Sequence, residues 1–145
     1  MANSILYFDV KHAVAVHDWI IAHSGGLAGT KDVGQLESVL EHIQNDMYYP
    51  IFEDKLNHLI FAINKFHAFN DGNKRSSLVL GAYFLELNGY RYCVKRFVLE
   101  MENIVVWLAE GKINKAFLLK LITSLMLDDE YPESLKLELL AATDE

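Results

Sequence analysis

Apolar positions along the chain recur at helical spacing. Val10, Ala13, Val14, His17, Ile20 and Ile21 follow the three-and-four rhythm of an amphipathic helix, which Ser24-Gly25-Gly26 stops. After the glycine-rich stretch to Gly29, Asp32 followed by Gln35 resembles a capping box, and Val33, Leu36, Val39, Leu40, Ile43 and Met47 form the stripe of a second helix. Tyr48-Tyr49-Pro50 breaks that stripe, and Leu56, Leu59, Ile60, Ile63, Phe66 and His67 share one face of a third. The turn Phe69-Asn70-Asp71-Gly72 leads to Ser76–Leu87, apolar on nearly every side, which predicts a helix in the middle of the core.

Asn88-Gly89 reads as a C-cap, and Tyr90 to Val94 as a few extended residues before Phe97, Met101, Ile104, Val105 and Leu108 resume the helical period up to Gly111. Asn114 is placed to cap a sixth helix through Phe117, Leu121, Ile122 and Leu125, and Pro132 suits the first turn of a short seventh. The expected fold is all-α, one compact domain over residues 1–145 with a buried central helix after the Phe69–Gly72 turn. Asp128 to Glu130 reads as a solvated loop, and Asp144 and Glu145 as a frayed end. The stretch Ser24 to Asp32 has two readings, a flap against which a target segment aligns or a flexible connection ending in a helix cap.

Composition narrows the function classes. A 52% hydrophobic content supports a real core, while a net charge of −7 argues against a phosphate-backbone binder, which would need clustered Lys and Arg. No nucleic-acid partner is expected. The single Cys93 forms no internal bridge and belongs to no Cys/His cluster, so a reducing cytoplasm is the expected setting. The N-terminal stretch does not read as a signal peptide, and the most apolar run, Leu78 to Leu87, contains Glu86 and is about half a membrane span. No membrane role is expected.

Candidate chemistry concentrates in His67-Ala68-Phe69-Asn70-Asp71-Gly72-Asn73-Lys74-Arg75, between the end of one helix and the start of the central one. A helix N-terminus offers unpaired N–H groups and the positive end of the dipole to an anion, and Gly72 would let a phosphate approach the backbone. Lys74 and Arg75 sit in a first turn, where the dipole disfavours cations, so an anionic ligand would explain them. Asp71 suits a Mg²⁺ ion that bridges phosphates, and His67 has the unperturbed acidity of a general base. Each part has a plainer reading: His67 a core histidine, Asp71-Gly72 a turn, Asn73 an N-cap, Lys74 and Arg75 surface charge, and Phe69 core in either case. A structural turn, however, needs no histidine, carboxylate, amide and two cations together. The conjunction favours phosphoryl or nucleotidyl transfer, where positioning and charge neutralisation carry most of the catalysis.

The segment resembles the signature of the Fic family, His-x-Phe-x-Asp/Glu-Gly-Asn-Gly/Lys-Arg, and with Lys74 in the eighth place it is similar to the Doc (death-on-curing) toxin branch. The likeness extends to Gly25-Gly26-Leu27, Gly29, Lys31-Asp32 and the Gly34–Leu40 stretch upstream, and to Leu85–Tyr90 downstream. It implies an all-α fold with His67 as base, Asp71 as Mg²⁺ ligand, Gly72, Asn73 and Lys74 in the phosphate-holding loop, Arg75 neutralising phosphate charge and Phe69 anchoring the loop. Adenylylating members usually have Gly where Lys74 stands and a second Arg, holding the γ-phosphate, where Leu78 stands. Both departures are shared by the Doc branch. The resemblance therefore implies a kinase moving the ATP γ-phosphate to a threonine of elongation factor Tu, so blocking translation.

Fic enzymes are commonly restrained by a Ser/Thr-x-x-x-Glu-Gly/Asn helix. The nearest matches here, Glu102-Asn103 and Glu110-Gly111, carry Val98 and Val106 in the Ser/Thr place, so the resemblance implies restraint by a separate antitoxin protein. Adenylyl transfer to a protein hydroxyl is the runner-up, and an idle binding module of the same fold a third reading. A small helical ribonuclease is disfavoured, since no His follows Arg75, Arg91 or Arg96. Lys65, Arg91, Lys95 and Arg96 are further candidates for positive potential near the site.

Overall fold

The computed structural model describes residues 4–144, and among them the chain forms seven α-helices and one 3₁₀ turn. α1 (Val10–Ser24) starts at Asp9, whose carboxylate accepts the His12 N–H, and stops at Gly25 with φ +81°. α2 (Val33–His42) starts at Asp32, whose side chain accepts the Gln35 N–H at 3.0 Å, one of the two bonds of the expected capping box.

α2 ends sooner than the apolar stripe suggested. Ile43 is still buried, but Met47 is 91% exposed. The Asn45 side chain accepts the Met47 N–H at 2.9 Å and closes a turn. Beneath it the fully buried Lys55 ammonium donates to the Ile43 carbonyl (2.8 Å) and to Asp46 (2.7 Å), so the chain leaves helix geometry to satisfy a buried cation.

α3 (Phe52–Phe66) and α4 (Asn73–Leu87) lie at the centre, packed on each other. α4 also meets α1 and α5 (Val94–Ala109), while α3 meets α2, α5 and α6 (Lys115–Leu127). Leu80, Gly81, Phe84 and Leu85 of α4 are buried, as expected of a central helix, while Lys74 in its first turn and a strip with Val79, Tyr83 and Glu86 are exposed. Gly81 permits the α4–α5 contact, because a Cβ there would come within 2.8 Å of the Phe97 ring.

After α4, Gly89 (φ +88°) donates to Glu86 and Tyr90 donates to Leu85 (2.9 Å), a Schellman closure. The extended stretch expected from Tyr90 to Val94 is overturned: Arg91–Cys93 is a 3₁₀ turn, with the Cys93 N–H on the Tyr90 carbonyl. An extended segment needs a neighbouring strand for its backbone groups, and none is at hand among the described residues. α6 is capped by Asn114, and Pro132 precedes the first turn of α7 (Glu133–Thr143). Asp128 to Glu130 are exposed as expected, although the Asp128 carbonyl accepts Arg96 at 2.6 Å. Of the expected frayed end, Asp144 still donates its N–H to Leu140, and Glu145 lies outside the described residues.

Candidate active site

The motif begins where α3 stops. His67 takes a left-handed backbone, φ +50° and ψ +60°, and among the described residues no other non-glycine has positive φ. That conformation costs an L-residue roughly 1–2 kcal/mol, although histidine tolerates it better than most. The turn sends Ala68 and Phe69 into the core and leaves His67 exposed. His67 is thus no core histidine, and Phe69, fully buried, is the expected anchor.

Asn73 closes the loop upon itself. Its Oδ1 accepts the Phe69 N–H and its Nδ2 donates to the Phe69 carbonyl, both at 3.0 Å. With the side chain so engaged, what Asn73 offers an anion is its backbone N–H. Gly72, not Asn73, occupies the N-cap, at φ +75°, and no side chain caps α4. The first N–H to bond within the helix is that of Ser76, to the Gly72 carbonyl (2.9 Å), so those of Asn73, Lys74 and Arg75 have no helical acceptor.

These groups share one cavity of about 590 Å³, lined by His67, Asp71, Gly72, Asn73, Lys74 and Arg75 together with Phe69, Asn70, Asn64, Ala109 and Lys31. Every candidate site residue is there. Asp71 accepts the Leu27 N–H on Oδ2 (3.0 Å) and the Gly72 N–H on Oδ1 (2.8 Å). These bonds, Leu27's first, hold its carboxyl below the usual range, and the Arg75 charge adds to them against the opposing effect of burial. Arg75 donates to the Ser24 hydroxyl at the end of α1.

The stretch Ser24–Asp32 is bonded to the motif loop. Thr30 and Phe69 form an isolated antiparallel bridge, Lys31 and Asp32 donate to the Ala68 carbonyl (2.9 and 3.3 Å), and Asn70 donates its N–H to the Gly29 carbonyl (3.1 Å). The stretch is therefore a flap over the loop, and at its end Asp32 caps α2. Gly26 lies so close that a Cβ would stand 2.7 Å from Asp71 Oδ2 and 3.2 Å from Arg75 Nη2.

Several contributors were missed. Lys31 brings a third cation from the flap; the sequence placed it within the family likeness but gave it no role in the site. Asn64 bonds Ser77 (2.8 Å) and so ties α3 to α4 behind the cavity, while Ser24 receives Arg75. Fully buried His17, which helical spacing placed among apolar residues, stacks flat on Phe69 at 4.0 Å and bonds the Asp71 carbonyl. Of the four surface cations considered, Lys65 lines an adjoining cavity that shares Asn64, His67 and Ala109, and Arg96 is bonded to the end of α6. Arg91 and Lys95 line neither cavity.

No cluster of three metal-ligating side chains occurs among the described residues. A cation here would draw one carboxylate from Asp71, each of whose oxygens accepts one N–H and keeps a lone pair, and complete its shell with phosphate oxygens and water. Mg²⁺ is commonly held in this way, so the residues fit it. Leu78, one turn along α4, is half-buried against the core and brings no further cation. No helix among the described residues is long and apolar enough to cross a membrane.

The chain is 32% identical over 108 residues to the protein kinase doc of Escherichia phage P1, a match covering 72% of this chain and 82% of that protein. The model of the Fic/DOC family matches residues 7–85, from the residues before α1 through the flap and the motif into the last turn of α4. The chain belongs to the Fic/DOC family.

Proposed function

We propose that the protein is a Doc-like kinase which, with Mg²⁺ and ATP, moves the γ-phosphoryl group to a hydroxyl of another protein. The observation that carries this is the single cavity in which an exposed imidazole, an ionised carboxylate and three cations surround an uncapped helix N-terminus. The γ-phosphate is held by the N–H groups that open α4, with Lys74, Arg75 and Lys31 offsetting its charge. Asp71 would hold Mg²⁺, which supplies further neutralisation of phosphate charge when bound.

The His67 imidazole takes the proton of the attacking hydroxyl as its oxygen bonds the γ-phosphorus, and the bond from that phosphorus to the bridging oxygen breaks, leaving ADP. The flap, bonded to the motif loop along one side, is the surface on which the acceptor segment would align. The likeness to the phage P1 kinase supports phosphoryl over adenylyl transfer, as does the absence of a second arginine at Leu78. On the same reading the protein works in the cytoplasm as the toxin of a toxin–antitoxin pair, its acceptor resembles elongation factor Tu, and a separate antitoxin restrains it.

Wild-type protein and His67→Ala, incubated with host extract, Mg²⁺ and ATP labelled in parallel on the α- or γ-phosphate, test the proposal. Label from the γ position alone, lost in the variant and concentrated on one band near the size of the elongation factor, is expected. Label from the α position would make the protein an adenylyltransferase, and no His67-dependent label from either ATP would make it an idle module or an enzyme that uses another donor.

A further inference from the structure

Three features of His17 set it apart from a packing residue. Its side chain is fully buried, its ring lies parallel to Phe69 (3° between planes, centroids 4.0 Å apart), and Nε2 stands 2.6 Å from the Asp71 carbonyl oxygen. A carbonyl only accepts, so Nε2 carries a proton and donates it. Nδ1 is buried with no hydrogen-bond partner, and Asp18 at 3.9 Å is too far to serve as one. An apolar side chain would fill this place without leaving a buried ring nitrogen unsatisfied, so packing alone does not account for the histidine.

We propose that His17 is a positioning residue for the phosphate and metal site: by holding the Asp71 carbonyl it fixes the Asp71–Gly72 peptide plane and thereby the Asp71 carboxylate. In a trans peptide the C=O and N–H point in opposite directions, and the described chain has no cis bond. Anchoring the Asp71 oxygen on α1 therefore turns the Gly72 N–H the other way, where it donates to Asp71 Oδ1 at 2.8 Å. A Cβ on Gly72 would stand 3.5 Å from His17 Nε2, so the His17 ring lies in ordinary contact distance of the loop backbone at this point. The Phe69 stack holds the ring in line, and α1 thus reaches the site without lining the cavity. The proposal rests on the phosphotransfer reading for what Asp71 does, but not for how Asp71 is held.

The test is amide hydrogen exchange at fixed pH, read by NMR residue by residue in the full chain without nucleotide, so that it succeeds or fails apart from any activity. His17→Gln places an amide nitrogen near the position of Nε2, His17→Asn places one near Nδ1, and His17→Phe keeps the ring without a donor. Exchange at Gly72 is expected to be slow in wild type and in the Gln variant and roughly tenfold faster in the Asn and Phe variants, the loss of about one hydrogen bond. Leu59 and Ile60 of α3 should keep their protection throughout. Unchanged exchange at Gly72 in the Asn variant, a Gln variant that behaves like Asn, or equal acceleration at Leu59 and Ile60 would each overturn the proposal. If the Phe variant fails to fold, the Asn and Gln pair carries the comparison.

Discussion

Gly26→Ala, with Gly25→Ala as its partner, separates backbone strain from close approach to the site. Both glycines have positive φ, +81° at Gly25 and +118° at Gly26, so either alanine strains the chain, by about 1–2 kcal/mol. A Cβ on Gly25 meets nothing within 4 Å, whereas one on Gly26 stands 2.7 Å from Asp71 Oδ2, 3.1 Å from Ile21 Cδ1 and 3.2 Å from Arg75 Nη2. Opening 2.7 Å to the 3.4 Å of ordinary contact moves flap and carboxylate apart by 3.4 − 2.7 = 0.7 Å. That stretches the Leu27 N–H bond to Asp71, 3.0 Å at present, beyond useful length. Shifts of this size in a positioning group cost on the order of 10²-fold in rate. Thermal unfolding and ATP-dependent transfer should be measured on both variants. Each melting temperature should fall by a few degrees, about 2–4 °C per kcal/mol at this size, with Gly26→Ala losing about 100-fold in transfer and Gly25→Ala less than about fivefold. Equal transfer by the two variants would refute the argument that the flap holds Asp71.

Further outcomes follow from the loop and from a distant histidine. Asn73→Ala removes both bonds to the Phe69 backbone and should cost about 2 kcal/mol in chemical unfolding, with Asn73→Asp, which keeps the acceptor but turns a second oxygen on the Phe69 carbonyl, losing at least half of that. His67→Ala should abolish transfer, by about 10²–10⁴-fold or more, at nearly unchanged stability, while His67→Gly should be stabilised by roughly 0.5–1 kcal/mol through relief of the left-handed backbone. A large loss of stability in His67→Ala would show that the residue is structural. Burial first, then the charges of Lys115 and His42, hold the His58 imidazole at about 4. Its folded value lies below the usual 6.5, so the unfolded chain takes up the proton first, and stability is intact above about pH 6.5 and falls between there and pH 4. With the partial exposure of the ring discounted, the loss is roughly 1–2 kcal/mol, and His58→Gln should flatten it in unfolding curves taken across that range.

The helices were legible because their caps are local. Asp9, Asp32 and Asn114 each accept an N–H three residues on, and Gly25, Gly89 and Gly111 each take the positive φ that ends a helix. The early end of α2 was not legible, since it depends on Lys55, whose ammonium meets Ile43 and Asp46 only after α3 has docked. The 3₁₀ turn at Arg91–Cys93 was misread because β-branched and aromatic residues favour strands only where a strand partner exists. Within the site, His67 to Arg75 could be read from one run of sequence, because a helix end, a turn and a helix start fall in nine residues. Lys31, Ser24 and His17 could not, since they lie 36 or more residues before the motif, and helical spacing alone gives an ordinary place to His17 on an apolar face.

The central claim is that this cavity presents the γ-phosphate of ATP to His67, and a crystal structure with Mg²⁺ and a non-hydrolysable ATP analogue tests it most directly. The account predicts the γ-phosphate on the N–H groups of Asn73, Lys74 and Arg75, Mg²⁺ on Asp71 and the γ-phosphorus as the phosphorus nearest the His67 ring. An α-phosphate in that place, or a nucleotide bound away from the start of α4, would contradict it.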